Sequence, residues 1–157
     1  MTPSSDDFLR GLGNPHTDPR VSDLLEQLGL SHNKMELKRG EFDIAFDAPD
    51  HGIDVIFSDP IPYKTTNTLP EGALILATVF FFSEGREGHR QYELALPADL
   101  VFGMSRDEVL RQLGTPEFTS PILPVYRWSW KSIKLAVTFV ESLSSIARVS
   151  CSLPKAQ

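Results

Sequence analysis

A chain of 157 residues, 41% of them hydrophobic, is long enough for one compact domain or for two small fused units with a shared core. It contains no run of about eighteen apolar residues, which excludes a membrane-spanning helix. The net charge of −6 is uneven, with five Lys/Arg against twelve Asp/Glu over residues 1–60 and ten against nine over 61–157, so a nucleic-acid partner, which needs a basic footprint, is not expected.

The N-terminus, Met1-Thr-Pro-Ser-Ser-Asp-Asp, has no basic stretch followed by an apolar one and does not read as a secretory signal. Cys151 is the only cysteine, so no internal disulfide is possible and a cytoplasmic location is expected. Residues 1–17 are polar apart from Phe8, Leu9 and Leu12. Ser5-Asp-Asp-Phe reads as a single helical turn, broken by Gly11-Leu-Gly-Asn-Pro15. Gly11 and Gly13 do not make a dinucleotide fingerprint, because no strand precedes them. A helix is predicted over roughly 19–28, with Asp18 as its N-cap, Pro19 at the first helical position and Gly29 as its stop.

Met35–Arg39 is a weak strand or turn. Glu41–Asp47 alternates strictly, with Phe42, Ile44 and Phe46 on one face and Asp43, Ala45 and Asp47 on the other. After a turn at 48–52, Gly52–Phe57 alternates again, with Ile53, Val55 and Phe57 inward. Residues 59–72 form a long proline-bearing loop, a candidate contact loop. Ala73–Phe82 is the most apolar run, and its Val/Phe content favours a central strand over a helix. Ser83–His89 reads as an exposed turn and Tyr92–Leu96 as a strand.

Gly103–Pro116 carries both helix ends in its sequence. Ser105 and Glu108 form a capping box, and Met104 and Val109 are spaced as a hydrophobic staple. Gly114 falls where a left-handed residue ends a helix, and Pro116 forbids continuation. A loop over 119–124 leads to strands at 125–130, 133–140 and 145–153. Leu24-Leu-Glu-Gln-Leu-Gly29 echoes Val109-Leu-Arg-Gln-Leu-Gly114, and three strands follow each. The expected fold is therefore α+β: two helix-plus-antiparallel-meander repeats, 1–90 and 91–157, forming one compact unit with helices on one face of a largely antiparallel sheet.

No motif for metal, cofactor or nucleophilic chemistry is evident. His16, His32, His51 and His89 are scattered in polar, turn-like contexts, and Cys151 alternates with Val149 and Leu153 as a small core residue. Neither catalysis nor a cofactor is expected. A surface remains. If helices cover one sheet face, the alternation puts Asp43, Asp47, Asp54, Arg127, Lys134, Thr138 and Arg148 on the other; the run 73–82 is apolar on both faces, and matching its Ala77 and Val79 to Ala147 and Val149 of the second half turns Thr78, Phe80 and Phe82 to that same face. Phe80 and Phe82 are either an aromatic patch or are covered by the 59–72 loop or the N-terminal segment. Tyr126, Trp128 and Trp130 share one strand face and read equally as core or anchor residues. Candidate partner-binding residues are Asp43, Asp47, Asp54, Phe80, Phe82, Arg127 and Trp128.

The stretch Leu96–Pro116, with Tyr126-Arg-Trp128, Leu135–Phe139 and Ile146–Val149, resembles small bacterial immunity proteins of the pyocin-immunity type. Its Gly-Met-Ser…Glu-Val…Leu-Gly-x-Pro core is also similar to the repeat of the β-lactamase-inhibitor protein and of small outer-membrane assembly lipoproteins. The resemblance covers about 90–153 directly and 18–82 only through the internal echo. No lipobox or disulfide pair is present, which favours the immunity type over the other two. The resemblance implies a non-catalytic cytoplasmic antidote that covers the active site of a cognate toxin. Steering by the acidic first half makes a basic toxin the expected partner. An adaptor or chaperone for a secreted effector, or a small-ligand carrier with a pocket under the 59–72 loop, is the alternative.

Overall fold

The computed structural model describes residues 1–63 and 69–156. It is an α+β fold of three helices and a seven-stranded, wholly antiparallel open sheet. The helices are α1 (Ser5–Gly11), α2 (Pro19–Gln27) and α3 (Arg106–Leu113). The strands are β1 (Asp43–Ala48), β2 (Ile53–Ser58), β3 (Ile75–Phe82), β4 (Phe118–Thr119), β5 (Val125–Trp130), β6 (Ile133–Phe139) and β7 (Ile146–Ser152). Their order across the sheet is β1-β2-β3-β7-β6-β5-β4, so two meanders meet along β3 and β7. Among the described residues no helix is long and apolar enough to cross a membrane.

Local sequence explains most element ends. Asp18 accepts from the Arg20 amide at 2.9 Å, and Pro19 opens α2, as read. Ser105 and Glu108 form both arms of the capping box on α3. Helix α1 is longer than a single turn, because Ser4 and Asp7 make a second capping box. Gly114 ends α3 with φ 82° and ψ −159°. That is a region essentially restricted to glycine, more demanding than the left-handed conformation expected there. Lys131 and Ser132 both have positive φ, 48° and 66°, in the two-residue turn between β5 and β6. Mirror-image turns of this kind match the twist of a hairpin.

One apolar cluster unites both halves of the chain. It holds Phe8 from α1, Val21, Leu24 and Leu25 from α2, and Val109 from α3. These pack with Ile53, Val55 and Phe57 of β2, Val79 and Phe81 of β3, Leu135 and Val137 of β6, and Val149 and Cys151 of β7. Phe8 meets Phe81 edge-on at 5.8 Å, and Gly11 lets α1 approach α2, since a Cβ there would lie 2.9 Å from Leu24. Trp128 donates its indole N–H to the Gly114 carbonyl at 3.0 Å, tying β5 to the end of α3. Cys151 is fully buried, and that burial pushes its thiol up to about 12. It is a core residue, as its spacing indicated.

Two element assignments differ from expectation. Residues 92–96 are not a strand: Tyr92 and Leu96 are buried, but Leu94 is 43% exposed, so the alternation breaks. Tyr92 is drawn inward instead. Its ring meets Phe81 at 4.7 Å, and its hydroxyl donates to the Pro3 carbonyl at 2.8 Å. Conversely, Phe118 and Thr119 pair with β5 as the short strand β4, opposite Arg127 and Tyr126.

Gly52 is where the first hairpin and the 90–92 segment touch. Its φ is 70°, and a Cβ there would lie 2.4 Å from the Arg90 carbonyl oxygen and 2.5 Å from the Tyr92 amide nitrogen. Gly52→Ala is expected to cost on the order of 2 kcal/mol or more, because rigid backbone has to move. Ser105→Ala, which removes only the cap of an exposed turn, should cost about 1 kcal/mol. Urea unfolding of the two variants beside the parent chain measures both, and equal stabilities would contradict this ranking.

Candidate binding face

The pairing register decides which side chains share the uncovered face of the sheet. One row crosses all seven strands: Asp47, Asp54, Phe80, Ser150, Ala136, Arg127 and Phe118 stand opposite one another in that order. A second row runs Ala45, Ile56, Thr78, Ser152, Lys134 and Ser129. A third holds Phe82, Arg148, Thr138 and Val125. Asp43, Asp47, Asp54, Phe80, Phe82 and Arg127 therefore lie on one face, where the alternation, and for the two phenylalanines the match to Ala147 and Val149, placed them. Since side chains alternate with period two, the apolar cluster takes the opposite set.

Trp128 does not belong to this group. It is 4% exposed and lies on the core side, between Arg127 and Ser129, where burial satisfies its ring and the Gly114 carbonyl satisfies its N–H. It is therefore a core residue and not available as a partner anchor. Phe82 is on the right face but is 1% exposed. The His89 ring stacks on it at 3.8 Å. Phe80 is partly open, with the Arg148 guanidinium 5.0 Å from its ring centre.

His89 is the residue that sequence reading missed most clearly. Its setting, Gly88-His89-Arg90 in a polar turn, suggested solvent, yet it is 6% exposed. Its Nε2 lies 2.6 Å from the Asp54 carboxylate, and its Nδ1 faces the Arg86 and Glu87 carbonyls at 3.1 and 3.0 Å. With Asp54 ionised, both ring nitrogens face acceptors, an arrangement that the imidazolium satisfies fully. Burial disfavours its charge, but the bond to Asp54 and the two carbonyls outweigh that and hold His89 above the ordinary histidine value. Asp54 is itself raised by burial, with the neighbouring Asp47 adding to the rise against the pull of His89. Glu87, at φ 51°, reaches from the same turn to Arg148 at 3.3 Å. The 83–89 turn is thus latched onto the sheet at two points.

The charges on the face are segregated. The carboxylates Asp43, Asp47 and Asp54 lie on β1 and β2, while Arg127 and Lys134 lie on β5 and β6. Glu117 bridges the two cations, at 2.8 Å to Lys134 and 3.6 Å to Arg127. Those bonds, that to Lys134 first, hold the Glu117 carboxyl below its usual range. Beyond Phe118, the turn into β5 exposes Ile122 and Leu123, at 88% and 62%. Neither drew notice in the sequence, because a pair of apolar residues flanked by prolines carries no periodicity. The segment 64–68 of the expected contact loop lies outside the described residues. A cleft beside the described parts of that loop is lined by Met35, Leu37, Ile61 and Leu74. Among the described residues no group of three or more His, Cys, Asp or Glu is placed to hold a metal ion.

The His89–Asp54 bond makes a signed prediction about pH. A raised folded-state pKa stabilises most below the unfolded value, about 6.5 for histidine, and that gain is lost as pH rises through the folded value. The stability advantage of the parent chain over His89→Gln should therefore be larger at pH 6 than at pH 9 in paired urea titrations. An advantage that grows with pH would contradict the imidazolium assignment.

Comparison of the chain with protein-family models, with characterised proteins and with solved structures found no match.

Proposed function

We propose that this protein is a non-catalytic immunity protein that binds a cognate bacterial toxin through the open sheet face and neutralises it by covering the active site. The observation that carries the reading is a sheet face lined by both charge signs, with a partly exposed aromatic between them. A face of that kind offers an apolar anchor with a charged rim, the usual anatomy of a protein contact. The resemblance of Leu96–Pro116 to pyocin-type immunity proteins supplies the partner class, and a cytoplasmic location goes with it.

The tandem arrangement of two helix-plus-meander repeats, 1–90 and 91–157, belongs to the same proposal. It is supported by a strand order that reads alike from β1 and from β5 toward the β3–β7 junction. It is also supported by the pairing of Phe80 with Ser150, positions that coincide when Ala77 and Val79 are aligned with Ala147 and Val149.

In this reading Phe80 anchors the partner, and Asp43 and Asp47 steer a basic surface toward it. Asp54 contributes less to steering, because His89 occupies it. Effector adaptor is the alternative function, separated by whether the bound partner is inhibited.

Co-expression with the product of the adjacent reading frame tests the proposal. Growth rescue together with co-purification is the expected result. Co-purification of a partner that is not toxic would replace inhibition by adaptor activity, and absence of both would overturn binding. With the partner in hand, Asp43→Lys/Asp47→Lys should slow association at low salt several-fold and change dissociation little. Phe80→Ala should instead speed dissociation by about tenfold or more, as loss of a central anchor does.

A further inference from the structure

At the β5–β6 end of the open face the sheet floor drops into a cavity of about 560 Å³. Its floor is Ala136, whose small side chain sits in the row between Ser150 and Arg127. Arg127, Lys134 and Lys155 contribute three cations to its lining, and among the described residues no carboxylate lines it. Thr78 and Ser152 add hydroxyls 3.1 Å apart, and Tyr63 adds a phenol. If Thr78 and Ser152 share one proton between them, the other hydroxyl hydrogen is left to donate elsewhere. Lys155 is brought in from the C-terminal segment by backbone pairing, as Tyr63 bridges to Lys155 and the Ala156 amide donates to the Pro62 carbonyl at 2.8 Å.

We infer that this cavity binds a small oligoanion, one that presents clustered phosphate or carboxylate oxygens. Among the described residues, Glu117 at the rim is the one carboxylate bonded to these cations, through Lys134 and Arg127. Three cations against one carboxylate leave a local excess of two positive charges in a chain whose net charge is −6. That excess sits in a concavity with hydroxyl donors, and the low-dielectric protein below it strengthens the attraction relative to open water. A ligand with two or more negative charges replaces Glu117 as the partner of Lys134 and Arg127 and engages Lys155 as well. The volume falls in the range of small-molecule sites. Binding here does not depend on the toxin-binding proposal, since that reading rests on Phe80 and the acidic end of the face.

Isothermal titration of the full chain with inorganic pyrophosphate, and separately with citrate, tests the inference at an ionic strength of roughly 20 mM, where surface charge is weakly screened. Saturable one-to-one binding of either probe is expected, and the stronger probe distinguishes phosphate from carboxylate chemistry. Lys134→Ala/Lys155→Ala should weaken binding at least tenfold. Glu117→Gln should tighten it several-fold, because the competing carboxylate is gone. Lys131→Ala, which removes a cation lying over Trp130 in the β5–β6 turn, should leave binding unchanged. If the double variant does not fold, Lys155→Ala alone carries the test from an exposed position, with a weakening of at least threefold. No saturable binding of either probe, binding indifferent to Lys134 and Lys155, or weaker binding by Glu117→Gln would each overturn the site.

Discussion

The pairing of β3 with β7 is the constraint on which the rest of the molecule depends. Val79 faces Cys151 and Phe81 faces Val149, and none of the four is exposed. The contact joins the meander of β1, β2 and β3 to that of β5, β6 and β7, so the core is continuous across it. Phe81 lies at the middle of this arrangement, between Phe8 of α1, Tyr92 and Val149. Complete burial of one such ring contributes roughly 1.5–3 kcal/mol. A slip of one residue at this junction would turn the buried side chains of one meander toward solvent. The same slip would break the row that sets Phe80 beside Ser150 and aligns the acidic end of the face with the basic end.

The two faces of the sheet are consequently of different kinds. The core side is closed by the helices and by Trp128, whose one polar atom is satisfied by the helix end it packs on. The other side has a partial cover, the 83–89 turn. That turn combines the stacked His89 ring, a short bond to Asp54 and an ion pair from Glu87 to Arg148. Its effect is to hide Phe82 while Phe80 stays partly open. The apolar part of the proposed contact is thereby narrowed to one ring with a cation above it. In such an interface most of the specificity comes from the surrounding charges.

Those charges are arranged as a gradient, with carboxylates at β1 and β2 and cations at β5 and β6. The acidic end carries exposed Asp43 and Asp47, whereas the basic end surrounds a hollow lined by Ala136. An exposed charged edge suits steering of a large partner, and a charged hollow suits a small ligand. The two proposed kinds of recognition therefore draw on different residues of the face, except at Arg127.

The sequence alone determined the local structure. Caps at Asp18 and Ser105, the stop at Gly114, the hairpin turn at Lys131-Ser132 and the alternation of β1, β2, β5, β6 and β7 are interactions among near neighbours, and a linear pattern records them. The same alternation sorted Asp43, Asp47, Asp54 and Arg127 onto one face, because a strand side chain's face depends only on parity, and the match of Ala77 and Val79 to Ala147 and Val149 placed Phe80 with them. What lies above a face depends on segments distant in the chain, and there the tertiary structure decided. His89 covers Phe82 from seven residues away and meets Asp54 thirty-five residues back. Lys155 reaches the cavity only because the chain end pairs with Tyr63. Trp128 entered the core because α3 lies on its side of β5. Tyr92–Leu96 had a strand's composition but no partner ladder, so its backbone took the path that buried Tyr92. Parity and capping are legible in sequence because they are local; burial and cover are not, because they are properties of the assembled chain.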